Sequence, residues 1–156
     1  MQRIRCVGQR LAVLSLLPTL ILATSASHAT LGGAVTPITG VSTQQKVNRQ
    51  VNQQSNYQVH ELSIDGTVVR EYVNGTGTVF AVVWQGQFAP NLYQLLGDTA
   101  FQRLGAAGRA AHAGHRQLQV QETDLVIQSI NRARSSSGRA YLPALIPAGV
   151  GLDTIQ

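Results

Sequence analysis

The stretch YQVHELSIDGTVVREYVNGTGTVFAVVW, residues 57–84, decides how the rest of the chain is read. Tyr57–Ile64 alternates, with Leu62 and Ile64 toward one side and Tyr57 and Val59 toward the other, the period of a strand. Asp65-Gly66 is a two-residue hairpin turn, because its central positions need positive φ. Thr67–Val73 returns with β-branched residues, and Asn74-Gly75-Thr76-Gly77 makes a second turn. Thr78–Trp84 has almost no polar residue on either side. A run of that kind is a central strand covered on both faces, with Phe80, Val82 and Trp84 expected on one face and Val79, Ala81 and Val83 on the other. The segment therefore predicts an antiparallel meander.

Downstream, Pro90 lies where a first helical turn tolerates proline. Leu92, Leu95, Leu96, Ala100 and Leu104 follow at helical spacing and would cover one face of the sheet. Gly97 should weaken this helix by about 1 kcal/mol relative to alanine, and Gly105 and Gly108 are expected to end it. Gln117–Glu122 and Leu125–Ile130 flank Thr123-Asp124 and predict a second hairpin. Asn131–Gly138, with three consecutive serines, reads as a polar loop, and Arg139–Leu142 as a short last strand. Pro143 and Pro147 exclude a long interior strand there. The predicted class is α+β: an antiparallel β-sheet, a meander plus a hairpin, with one principal α-helix packed on it.

Several of these phrases together resemble a known family. They are Tyr57–Leu62, Gly66–Val73, Gly77–Gly86, Leu95-Leu96-Gly97 and Gly138–Val150. In them the chain is similar to an exported proteobacterial family, domain-of-unknown-function family 2844. The resemblance implies an exported, intact fold over most of residues 57–150. It carries no established activity, so no catalytic residue follows from it.

The N-terminus has its own logic. Arg3, Arg5 and Arg10 precede an apolar run from Leu11 to Ala23, and small residues Ser27 and Ala29 precede Thr30. That is the pattern of a secretory signal peptide over residues 1–29, with a cut after Ala29. The run is shorter than the roughly 20 residues a spanning helix needs. Removing it takes three of the twelve basic residues, leaving nine basic against seven acidic. The remaining charges are scattered, without the basic stripe that phosphate tracking requires, so no nucleic-acid partner is expected. Cys6 is the sole cysteine and leaves with the signal, so the mature domain has no disulfide, thiolate nucleophile or cysteine-based zinc site. Residues 30–56 follow as a polar leader or linker. Nine of the fifteen residues from Gln44 to Gln58 are Gln or Asn, and the Val47/Val51 spacing allows only a short helix. The main domain is read as 57–150, with a C-terminal tail over 151–156.

Candidate chemistry is sparse. His112 and His115 could share a metal with Glu122 or Asp124, but their segment is glycine-rich and offers no supporting partners. No Gly-x-Ser-x-Gly elbow accompanies Ser135–Ser137, and neither a Walker pattern nor a dinucleotide fingerprint occurs. The Asp65-Gly66 hairpin brings Glu61 near Arg70, or His60 near Glu71, as sheet-stabilising cross-strand pairs. No cofactor is expected. The reading is a periplasmic or secreted, non-enzymatic domain that binds an envelope protein, touching the membrane only through its signal peptide before cleavage. Leu145, Ile146 and Val150, too apolar for a solvated tail, are the expected partner contacts. The alternatives are a small-molecule groove floored by Trp84, and a hydrolase or metal-binding protein. N-terminal sequencing of protein recovered from the periplasm is expected to begin at Thr30. Recovery of an intact Met1 in the membrane fraction contradicts the cleavage.

Overall fold

A computed structural model describes residues 31–35, 48–64, 66–111 and 116–156. The described chain forms seven strands and one principal helix: β1 (Asn48–Gln53), β2 (Tyr57–Ile64), β3 (Thr67–Asn74), β4 (Val79–Gly86), α1 (Leu92–Ala110), β5 (Gln117–Gln121), β6 (Val126–Arg132) and β7 (Ser135–Tyr141). The strands make one sheet, ordered β1-β2-β3-β4-β7-β6-β5, with every pairing antiparallel. This is the expected α+β class. Two meanders meet where β7 pairs with β4. The chain leaves β4 near the middle and re-enters at the β5 edge, so α1 has to cross one face of the sheet.

The first meander has the turns read from the sequence. Ile64 faces Thr67 across a two-residue connection in which Gly66 has φ 78°. In the second turn, the Asn74 Oδ1 accepts from the amides of Thr76 (3.1 Å) and Thr78 (3.0 Å), and Gly77 takes φ 82°.

Strand alternation fails at one point in β4. Tyr72 faces Ala81, but its neighbour Val73 faces Val79, so Phe80 is an extra residue, a β-bulge. The expected set Phe80, Val82, Trp84 is therefore split. Val79, Val82 and Trp84 lie under α1 in a core with Leu62, Val69, Leu95, Leu96, Leu104 and Ile127. Phe80 and Ala81 lie on the opposite face with Tyr72, Val126, Tyr141 and Ile155.

Four further expectations are corrected. The leader does not form a helix around Val51. Asn48–Gln53 is an edge strand, and its polar, unalternating sequence is tolerated because most of its side chains remain exposed. Gly105 and Gly108 do not end the helix. Both are helical, and the residue that leaves helical geometry is Gly97, at φ 79° and ψ 167°. Ser135–Gly138 is not a loop but the first half of β7, an interior strand. Small residues suit it there: a Cβ on Gly138 would overlap the Trp84 indole, which lies across that position. Finally, residues 151–156 are not a free tail. The chain after Tyr141 makes 3-10 turns at Pro143–Leu145 and Leu152–Thr154 and buries Ile155 to 1 % exposure in the second core.

That C-terminal strap is anchored by Tyr72. Its hydroxyl donates to the Gln156 carbonyl at 2.9 Å and accepts from the Gln156 amide at 3.1 Å. Burial pushes the Tyr72 phenol above its ordinary pKa, which keeps the hydroxyl proton available to donate. Tyr57, Tyr72 and Phe80 form a ring cluster below it, with centroids 6.1–6.2 Å apart. Ile155→Ala is expected to cost about 2–5 kcal/mol, the range for a buried aliphatic side chain, in chemical denaturation. A loss below about 0.5 kcal/mol, the surface range, would mean the strap is not core.

Candidate functional site

Alternation places Arg49 of β1, His60 of β2 and Glu71 of β3 on the α1 side of the sheet. Arg49 pairs in register with Leu62, and His60 with Glu71, which itself faces Val82. Glu71 is 1 % exposed, and the Arg49 Nη2 lies 3.5 Å from its Oε2. A carboxylate taken out of water needs such a partner, because desolvation of an uncompensated charge costs several kcal/mol. The His60 Nε2 lies 3.2 Å from the Gln58 side-chain oxygen, while its buried Nδ1 has no hydrogen-bond partner among the described residues. Burial first, and the neighbouring Arg49 charge second, lower the His60 pKa below its usual value. The lowered pKa favours the neutral imidazole beside a part-buried ion pair. Both cross-strand alternatives drawn from the hairpin are in register, on opposite faces. The other pair is Arg70 Nε to Glu61 Oε2 at 2.8 Å, and Arg70 also reaches the Gln156 carbonyl at 3.1 Å.

Two shallow grooves are present among the described residues. One, about 290 Å³, runs past Asn56, Tyr57, Val73 and Gly75 at the turn end of the first meander. The other, about 270 Å³, lies at the Gly97 break between Leu96, Arg103, Asp124 and Leu125. The break frees the Leu95 carbonyl, which accepts from the Leu31 amide at 3.2 Å. Arg103 is clamped to Glu122 at 2.8 Å and to Asp124 at 2.9 Å. The guanidinium hydrogen bond lowers the Asp124 pKa, and Asp124 in turn raises that of Arg103. These charges satisfy one another and tie α1 to the β5–β6 turn.

Large exposed apolar side chains occur at Val51 on β1, at Leu152 on the strap, and on and just before α1. Phe88 is 67 % exposed, Tyr93 52 % and Phe101 39 %, and the Tyr93 and Phe101 rings meet edge to face at 5.6 Å. The sequence reading missed this pair. Its signal is visible in hindsight: both residues lie off the Leu92, Leu95, Leu96, Ala100, Leu104 stripe of the same helix.

The sequence-predicted sites are distributed differently. Trp84 is 1 % exposed and packed in the core, and it lines neither of the two grooves described above. Tight burial between α1 and β7 explains this, since Gly138 leaves room for the indole within the fold. Leu145, Ile146 and Val150 are half-buried against the second core instead of projecting outward, because the strap that carries them closes that face. His112 and His115 lie outside the described residues. Glu122 and Asp124, their suggested co-ligands, are engaged by Arg103. Among the described residues no three His, Cys, Asp or Glu side chains cluster in a way that could hold a metal. No helix among them is long and apolar enough to cross a membrane.

Among the described residues, the fold is an α+β domain in which one principal helix and a C-terminal strap cover opposite faces of one antiparallel sheet. The chain belongs to the family described as protein of unknown function (DUF2844), whose model matches residues 27–155. No curated protein and no solved structure matches it.

The neutral, desolvated His60 makes a pH prediction. Its folded pKa is lowered, so on acidification the unfolded chain takes up the proton first. The stability tied to His60 is full above the unfolded value, about 6.5, and is lost as pH falls through it toward the depressed folded value. Thermal melts between about pH 7.5 and pH 5 should show a flatter acid limb for His60→Gln than for wild type. Parallel curves would show that His60 titrates alike in both states.

Proposed function

We propose that this chain is an exported, non-enzymatic binding domain of the cell envelope, released from its signal peptide after Ala29. In this reading its partner, an envelope protein, contacts the outer face of α1. The carrying observation is the Tyr93–Phe101 ring pair, more than one-third exposed at each residue on a helix whose other face is locked into the core. Aromatic side chains present large contact area at low conformational cost and are enriched at the centres of protein interfaces. The two rings come from either side of the Gly97 break and meet each other across it. The basic n-region and apolar run of the first 29 residues support export. The Leu31–Val35 segment, bonded to Val79 and Leu95, lies directly beyond the proposed cut and would give the mature chain an ordered start.

Installing a photo-crosslinking phenylalanine analogue at Tyr93 in living cells should yield a discrete adduct with one envelope protein. The same analogue at the exposed Gln119 should not yield it. With that protein identified, Tyr93→Ser/Phe101→Ser is expected to weaken binding by at least about tenfold, the scale of interface aromatics, and to leave the melting temperature within a few degrees. Equal crosslinking at both positions, or unchanged affinity in the double variant, would overturn the assignment.

A further inference from the structure

Among the described residues both ends of the sheet are edge strands, and β5 lacks the devices that usually blunt an edge. It has no proline, no lysine and no bulge, and it pairs with β6 alone. Its sequence, Gln117-Leu118-Gln119-Val120-Gln121, is nearly palindromic about Gln119, and it is bracketed by Arg116 and Glu122. Read antiparallel against itself, the segment sets Gln opposite Gln, Leu118 opposite Val120, and Arg116 opposite Glu122.

The backbone has matching parity. The Arg116 carbonyl accepts from the Asn131 amide at 2.8 Å, and the Glu122 amide donates to the Leu125 carbonyl at 2.9 Å. Even-numbered positions therefore bond inward to β6. By the alternation of an antiparallel ladder, the N–H and C=O groups of Gln117, Gln119 and Gln121 point outward. A two-fold axis through Gln119 brings those outward groups onto their own counterparts, Gln119 to Gln119 and Gln117 to Gln121. A register shifted by one residue would oppose outward groups to inward ones and make no bonds.

We infer that β5 is a self-association site, at which a second copy of this chain adds its own β5 antiparallel about Gln119 and continues the sheet across the two-fold. The occupant follows from self-complementarity. An isologous interface needs a surface that matches itself under a two-fold rotation, and β5 does so in hydrogen-bond parity, side-chain size and end charge together. Arg116 is exposed and has no acidic partner among the described residues, and the Glu122 of a second copy, 48 % exposed and held to its own Arg103 through Oε2, would share its carboxylate with it. At the opposite edge, the arginine of β1 is already paired with Glu71, and Asn-Arg-Gln-Val-Asn-Gln is not self-matching in charge. Five residues make a small interface, toward or below about 1,200 Å², where association is weak and reversible.

The test uses the full chain carrying Cys6→Ser. Sedimentation velocity from about 1 to about 200 µM should show a reversible monomer–dimer equilibrium. Arg116→Glu sets like charges together twice across the two-fold and should weaken the dimer at least about tenfold. Adding Glu122→Arg to that variant should restore it to within about threefold, while Arg103 keeps Asp124 as its partner. Gln119→Cys puts two thiols at the axis, at about 5.5 Å between Cα atoms, inside the disulfide range. Mild oxidation should therefore link the two copies, whereas Gln50→Cys on β1 should stay monomeric. A wild-type chain that is monomeric at every concentration overturns the inference. So does a dimer indifferent to Arg116→Glu, or one that crosslinks through Gln50→Cys and not through Gln119→Cys.

Discussion

Val79, Phe80, Ala81, Val82, Val83 and Trp84 follow one another along β4 without a polar break, and burying them requires cover on both faces of the sheet. One helix can cover only one face. The second cover is the C-terminal strap, whose Leu145, Ile146, Val150 and Ile155 pack against Tyr72, Phe80 and Tyr141. The bulge at Phe80 serves the same requirement. It moves the phenyl ring to the strap side, where Tyr57 and Tyr72, stacked on each other, both receive it edge-on. The aromatic pairs add about 0.5–1.5 kcal/mol each beyond area burial, and Tyr72 then holds the strap by its hydroxyl.

The helix face is organised around a break rather than around a continuous rod. Gly97 takes a left-handed φ that a residue with a Cβ rarely adopts. The break lets Leu95 and Leu96, on the first short segment, and Ala100 and Leu104, on the second, reach the same core. It also leaves the Leu95 carbonyl without its helical donor, and the Leu31 amide fills that role. The segment around Leu31 thereby joins the helix to β4, since Gly32 and Gly33 exchange backbone bonds with Val79. A stretch read as leader is part of the packed structure because a helix in front of it is broken.

Chemistry at the polar cluster is constrained by its burial. Arg49, His60 and Glu71 sit on three successive strands, and none of the three lines either groove among the described residues. A buried, satisfied carboxylate beside a neutral imidazole stabilises a register more readily than it meets a substrate. The accessible features lie elsewhere: the ring pair on α1 and the open edge of β5. These accessible surfaces are what the proposed binding reading rests on.

How much was legible in advance differs by element. The first meander, the Asp65-Gly66 and Asn74–Gly77 turns, the leucine stripe of α1, the second hairpin and the α+β class were readable, because period and turn chemistry act over a few neighbouring residues. The Glu61–Arg70 pairing followed from hairpin symmetry alone. Three decisions required the folded chain. Glycines 97, 105 and 108 look alike in sequence, and only packing at both ends of α1 selects Gly97 as the break. Ser135–Gly138 lacks any strand signature, yet it becomes interior because Trp84 across the ladder needs neighbours without bulk. Trp84 reads from sequence as a groove floor, and Leu145, Ile146 and Val150 as partner contacts, since apolar residues read the same whether they meet a partner or their own domain. Their fate depends on which distant segment returns to cover them. That return joins residues far apart in the chain, as Tyr72 meets Gln156 with a separation of 84, and no local pattern encodes such a contact.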